Sequence, residues 1–227
     1  MSIKSKLLAA AATLTVAGGL GTAGALSASA ATPSCGHHCI DIFSREFGTH
    51  RHPNFVLDVW RQSARVGQPI ILYRTSNTDK AEDFTVANQG TVSDFYQAGL
   101  VSAALNLHYA NDQAYEFEYS PDGVGSGLCV GTLSTAANRT PVVLVPCGAS
   151  AKSIWVVDSQ DAIGHGYVPL INGSDTNFSH PYVLHYPGNA FPTDTPRPQL
   201  NTYQLQKYSN GSVFDNELWG ADFGVLR

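Results

Sequence analysis

The stretch that most constrains this chain runs from Leu128 to Trp155, LCVGTLSTAANRTPVVLVPCGASAKSIW. It reads as a short apolar strand from Leu128 to Gly131, a polar turn through Ala137, Asn138 and Arg139, and a second strand from Val142 to Val145. A loop follows, and a third strand opens at Trp155. So small a unit cannot bury both faces of its own hairpin, and it needs partners of its own kind.

Worn copies stand on either side. Upstream, Phe55 to Val59 leads to Ile70-Ile71-Leu72-Tyr73 and then to Asp83-Phe84-Thr85-Val86. Laid on the central unit, Val56 and Thr75 take the two cysteine positions and Phe84 takes that of Trp155. Downstream, Val168 to Ile171 leads to Tyr182 to His185, with Pro169 and Pro187 at the cysteine positions, and a late closing strand at Asn216 to Trp219. Three such units are the mark of a threefold β assembly.

On these residues the chain resembles the ricin B-type β-trefoil lectins. The likeness is carried by LCV…NRTPVVLVPC…IW, by VLDV…QPIILY…SNTD…EDF, and by NELW, which is similar to that family's Gln-x-Trp box. The three boxes here are Glu82-Asp83-Phe84, Ser153-Ile154-Trp155 and Glu217-Leu218-Trp219, none of which keeps the glutamine. The resemblance implies an all-β fold: a β-trefoil with three pseudo-repeats and long inserted loops.

The chain opens with Lys4 and Lys6, a small-residue and apolar run from Leu7 to Leu26, and Ala28-Ser29-Ala30. That order fits a signal peptide over residues 1–31, leaving 32–227 as a single domain and a secreted, extracellular protein. Its loss would leave 11 basic residues against 18 acidic, with no basic run. Nucleic acid and anionic membranes are therefore not expected as partners. Few charges with many Gly, Pro, Asn, Ser and Thr suit short strands and frequent turns.

Four cysteines in an oxidising compartment make two bridges, and three pairings are possible. The disulfide-bearing repeat implies Cys129–Cys147, which leaves Cys35–Cys39 as a local loop. His37 and His38 between those cysteines, with His50 and His52 beyond, give donors for zinc; Cys-x3-Cys in an exported chain favours a disulfide, so no metal or other cofactor is expected.

Two segments exceed a bare trefoil. Residues 88–127 hold Phe95 to Leu107, readable as helix or strand, and Tyr115 to Tyr119, whose alternation reads as a strand with an aromatic face. Residues 188–215, flanked by Pro187 and holding Pro192, Pro196 and Pro198, read as an extended surface loop.

The resemblance also places a carbohydrate site in the first repeat. Asp58 matches an aspartate that accepts from sugar hydroxyls, Tyr73 matches a ring that stacks under the pyranose, and Asn77 or Glu82 completes the contact. The plainer alternative has Asp58 capping a turn and Tyr73 packing on a loop. Gly131 and Val145 fill the corresponding places in the second repeat, which is read as structural. Ile171 and His185 fill them in the third, beside Asn172, Asp175 and Asn216. No Gly-x-Ser-x-Gly elbow or triad spacing marks a catalytic centre. The reading is a lectin-like binder of carbohydrate or glycoconjugate with one or two weak sites. Its alternatives are a trefoil scaffold binding or inhibiting another protein through its loops, and a secreted hydrolase whose site no motif marks.

Overall fold

The computed structural model describes residues 39–47, 55–76, 78–164, 166–188 and 198–223. Twelve strands lie among them: β1 (Ile40–Ser44), β2 (Phe55–Val59), β3 (Ile70–Arg74), β4 (Phe84–Thr91), β5 (Gln113–Tyr119), β6 (Leu128–Thr132), β7 (Thr140–Pro146), β8 (Trp155–Val157), β9 (Leu170–Asn172), β10 (Tyr182–His185), β11 (Asn201–Gln204) and β12 (Trp219–Phe223). The expected signal peptide, Cys35 and most of the proline-rich stretch lie outside the described residues.

Strand pairing makes the threefold plan explicit. β1, β4, β5, β8, β9 and β12 form a closed barrel: β1 pairs β4 and β12, β5 pairs β4 and β8, and β8 pairs β9. A bridge from Val168 to Trp219 closes the last seam. The other six strands form three hairpins, β2–β3, β6–β7 and β10–β11, which cap the barrel. Those hairpins touch one another through Pro69 and Val143, Asn201 and Pro141, and Ile71 and Gln199. Each repeat thus holds four strands, and the molecule is a β-trefoil.

Alternation explains why each hairpin faces inward. Phe55, Leu57 and Val59 on β2 and Ile70 and Leu72 on β3 enter the core, while Val56, Asp58, Ile71 and Tyr73 take the other face. Leu57 pairs Leu72, Val130 pairs Leu144 and Leu184 pairs Thr202, at equivalent places in the three repeats. Phe84, Trp155 and Trp219 converge with Phe117 and Tyr119 in the same cluster. Each such fully buried side chain contributes roughly 1.5–3 kcal/mol.

The Cys129–Cys147 bridge is formed, with its Cα atoms 5.0 Å apart, between the start of β6 and the residue after β7. Cys39 is also disulfide-bonded; its expected partner, Cys35, is not among the described residues.

Two expectations are corrected and one open alternative is decided. Residues 113–119 are not an insertion but β5, the opening strand of repeat two, whose Phe117 and Tyr119 fill the barrel. The ambiguous stretch forms two short helices, α1 (Val92–Gln97) and α2 (Ala103–Tyr109). Thr91 and Asp94 close a capping box on α1, and Ser102 accepts the Leu105 N–H on α2. Gly99, at φ +74, turns the chain between them. Val92, Phe95 and Leu105 then bury against Ile171 and Val183 in a second cluster. Finally, residues 201–204 are not loop but β11, paired with β10 and β7.

Candidate functional site

The first hairpin sets Asp58 opposite Ile71 and Val56 opposite Tyr73. Asp58 and Tyr73 are therefore diagonal neighbours on one face, within reach of a ligand touching both. Asp58 is 4% exposed and Tyr73 half-buried. Glu82 ends a 3-10 turn, Lys80–Glu82, and is 1% exposed. Its Oε2 accepts from the Ser76 N–H at 2.9 Å and the Thr75 hydroxyl at 3.3 Å. Asp79 caps the same turn through the Ala81 N–H at 3.0 Å and accepts from Gln62 at 2.8 Å. Asn77 lies outside the described residues.

Carboxylate oxygens of Asp58, Asp79 and Glu82 lie within 4.8 Å of one another. Burial pushes Glu82 up to about 9, and the charges of Asp41, Asp58 and Asp79 add to this against the opposing Ser76 N–H. Glu82 therefore carries a proton at neutral pH.

In the second hairpin the counterparts are Gly131 and Val145. A Cβ on Gly131 would meet the Lys152 carbonyl and Val145 Cγ2, each at 2.6 Å. This repeat is closed. Its box residue is Ser153, and a neighbouring strand supplies the missing carboxylate: Glu116 accepts from the Gly148 N–H at 2.8 Å and from the Ser153 hydroxyl.

The third hairpin departs from the sequence reading. His185 pairs Asn201, and Val183 pairs Tyr203. His185 thus occupies the place of Asp58 and Tyr203 that of Tyr73, whereas Ile171 is buried on β9 between Val156 and Val183. The sequence reading placed this repeat one strand too early because β11 follows a proline-rich stretch that looks like loop throughout. A short polar–aromatic alternation, Asn201-Thr202-Tyr203-Gln204, is the signal that marks it.

His185 is held on three sides. Its Nδ1 donates to Asn201 Oδ1 at 2.9 Å, and its Nε2 accepts from Asn216 Nδ2 at 3.1 Å, which fixes the tautomer. The ring stacks on Tyr203 with centroids 5.0 Å apart. Burial lowers its pKa, against the Asn201 contact, so the imidazole is neutral. Together with Arg139 and Phe214, these residues line an open cavity of about 460 Å³. Arg139 reaches that wall from a turn at φ +65, tied by its N–H to the Thr202 carbonyl at 2.8 Å. Asn216 Oδ1 is buried there with no protein partner. Glu217, next in the chain, accepts the Gln206 N–H at 2.7 Å, and burial pushes its pKa up to about 8.

A common device emerges from the three repeats. A buried carboxylate accepts the backbone N–H two residues past the third strand, at Ser76, Gly148 and Gln206. It fixes the loop that leads into each aromatic box.

No protein-family model matches the chain, and no curated protein matches it by sequence. Among solved structures, it aligns with the designed threefold-symmetric protein ThreeFoil at a TM-score of 0.52 and 16% identity, over 80% of this chain and 96% of that one. It aligns with the Clostridium thermocellum exo-β-1,3-galactanase 1,3Gal43A at 0.52 and 12%, over 81% of this chain and 30% of the enzyme. A mosquitocidal holotoxin aligns at 0.50 and 14%, over 81% of this chain and 17% of the toxin. The chain thus spans under a third of the galactanase and about a sixth of the holotoxin. At these identities the likeness establishes one thing, the trefoil fold.

Proposed function

We propose that this is an exported, lectin-like member of the ricin B-type trefoils that binds carbohydrate weakly at its first and third hairpins. The observation that carries the reading is the third-hairpin cavity. There a half-buried tyrosine, oriented by a neutral histidine, adjoins an arginine donor and the partnerless acceptor Asn216 Oδ1. A pyranose offers the matching surface, with C–H groups for the ring and hydroxyls for the amides.

In the first hairpin Asp58 is the hydroxyl acceptor and Tyr73 the platform. Asn77 or Glu82 completes the contact, Glu82 through the backbone it anchors at Ser76. Export is supported by the Cys129–Cys147 bridge, which needs an oxidising compartment. No helix among the described residues is long and apolar enough to cross a membrane.

A glycan array probed with the wild type, Asp58→Ala, Tyr203→Ala and the double variant tests this. Each single variant is expected to lose part of the signal and the double variant all of it. A wild type blank across the array, or a double variant that binds as well, contradicts the proposal. Single-site affinity should be on the order of millimolar, since such modules gain strength through multivalency.

A further inference from the structure

A second cavity, of about 480 Å³, lies among the end of α2, the turn after β8, the loop ahead of β10 and the segment after β11. It shares no lining residue with the third-hairpin cavity. One of its walls exists because of the helical insertion, a part of the chain the trefoil frame does not require.

Its chemistry is specific. Tyr109 and Phe178 line it, with ring centroids 6.3 Å apart, and His108 stacks on Phe178 at 4.4 Å and so holds that ring in place. Asp158 and Asp161 also line it. Asp112 and Asp175 stand close enough that all four acids, after burial itself, raise the Tyr109 phenol above its ordinary range. The site therefore sets two aromatic rings beside the carboxyl groups of Asp158 and Asp161. The ammonium of Lys207 lies 2.6 Å from Asp161 Oδ1 at its edge. That side chain sets an ammonium head on an apolar stem against one of the lining carboxylates.

We propose that this cavity binds a compact organic ammonium ion, held by Asp158 and Asp161 against the Tyr109 and Phe178 rings. Carboxylates supply the charge partner, and the rings attract the cation through their π faces. Lys207 is an internal competitor that an incoming ligand displaces from Asp161. The proposal does not depend on sugar binding at the hairpins.

Calorimetric titration of the full chain distinguishes the sources of such a group. Glucosamine and Nα-acetyl-lysine carry the ammonium; N-acetylglucosamine and Nα-acetyl-norleucine are their neutral counterparts. At least one ammonium compound should bind tenfold or more tighter than its neutral counterpart, and which one binds tells an amino sugar from a basic peptide. Asp161→Asn should weaken that binding about tenfold, and Lys207→Met should strengthen it at least threefold by removing the competitor. Asp58→Ala and Tyr203→Ala should leave the preference for the ammonium compound over its neutral counterpart unchanged, which separates this site from the hairpin sites. Neutral and charged compounds binding alike, or Lys207→Met weakening the ammonium compound, would overturn the proposal.

Discussion

The indole N–H of Trp219 donates to the carbonyl of Leu184 at 2.8 Å, from the closing strand of repeat three to its own hairpin. Trp155 makes the same bond to Val130 at 2.9 Å in repeat two. These bonds satisfy a buried carbonyl that lies on the core side of each hairpin. In repeat one the position belongs to Phe84, which has no N–H to give. Trp155→Phe and Trp219→Phe should each cost about 2–4 kcal/mol, combining a lost hydrogen bond with a small void. Urea unfolding measures it. A cost under about 0.5 kcal/mol in both would mean the bonds do not hold the hairpins to the barrel.

Glu217 and Glu82 give the protein a pH dependence of unusual sign. Burial raises Glu217 to about 8 and Glu82 to about 9 in the folded chain, from an ordinary glutamate value of 4.5. The native state therefore holds more protons than the unfolded one between those limits, and stability falls as pH rises through that window. Tm should decline from pH 6.5 to pH 9. Glu217→Gln restores an uncharged acceptor for the Gln206 N–H and should flatten part of that decline, adding roughly 1–2 kcal/mol at pH 9 and little at pH 5. Differential scanning calorimetry across this range reads it; a variant with the same slope as wild type contradicts the assignment.

Gly131 leaves no room for a side chain at the position that Asp58 holds in repeat one. Gly131→Ala forces a methyl onto the Lys152 carbonyl and Val145, and should destabilise by about 2 kcal/mol or more. Gly131→Asp, which copies Asp58 into this repeat, should fare worse and gain no binding. Thermal melts of the two variants decide the matter.

The Cys129–Cys147 bridge closes a loop of sequence separation 18. Replacing both cysteines by alanine should cost about 3 kcal/mol by the chain-entropy estimate. The double variant should still fold, because Val130, Val142 and Leu144 on the bridged strands are fully buried in the shared core. Circular dichroism with denaturant titration gives both answers.

The threefold plan was legible because β2, β6, β7 and β10 write their inward faces in plain alternation or short apolar runs. Phe55-Val56-Leu57-Asp58-Val59 and Tyr182 to His185 coincide with strands residue for residue. β11 was not legible, since its four residues carry one buried side chain, Thr202, which is polar. That single omission displaced the third-repeat site from His185 and Tyr203 onto Ile171 and His185. Glu116 was hidden differently: on an alternating strand its charge reads as solvent-facing, and only the fold reveals that it replaces the carboxylate Ser153 lacks. Asp58 and Tyr73 were placed from the family pattern, and the register sets them on one face of the hairpin.

The most direct test of the whole account is a backbone amide NMR titration with a panel of galactosides and glucosides. Shift changes should concentrate at residues 185, 201–206 and 216, with a second set around residues 58 and 73–82. Changes absent from both hairpins, in a sample that binds the sugar elsewhere, would contradict it.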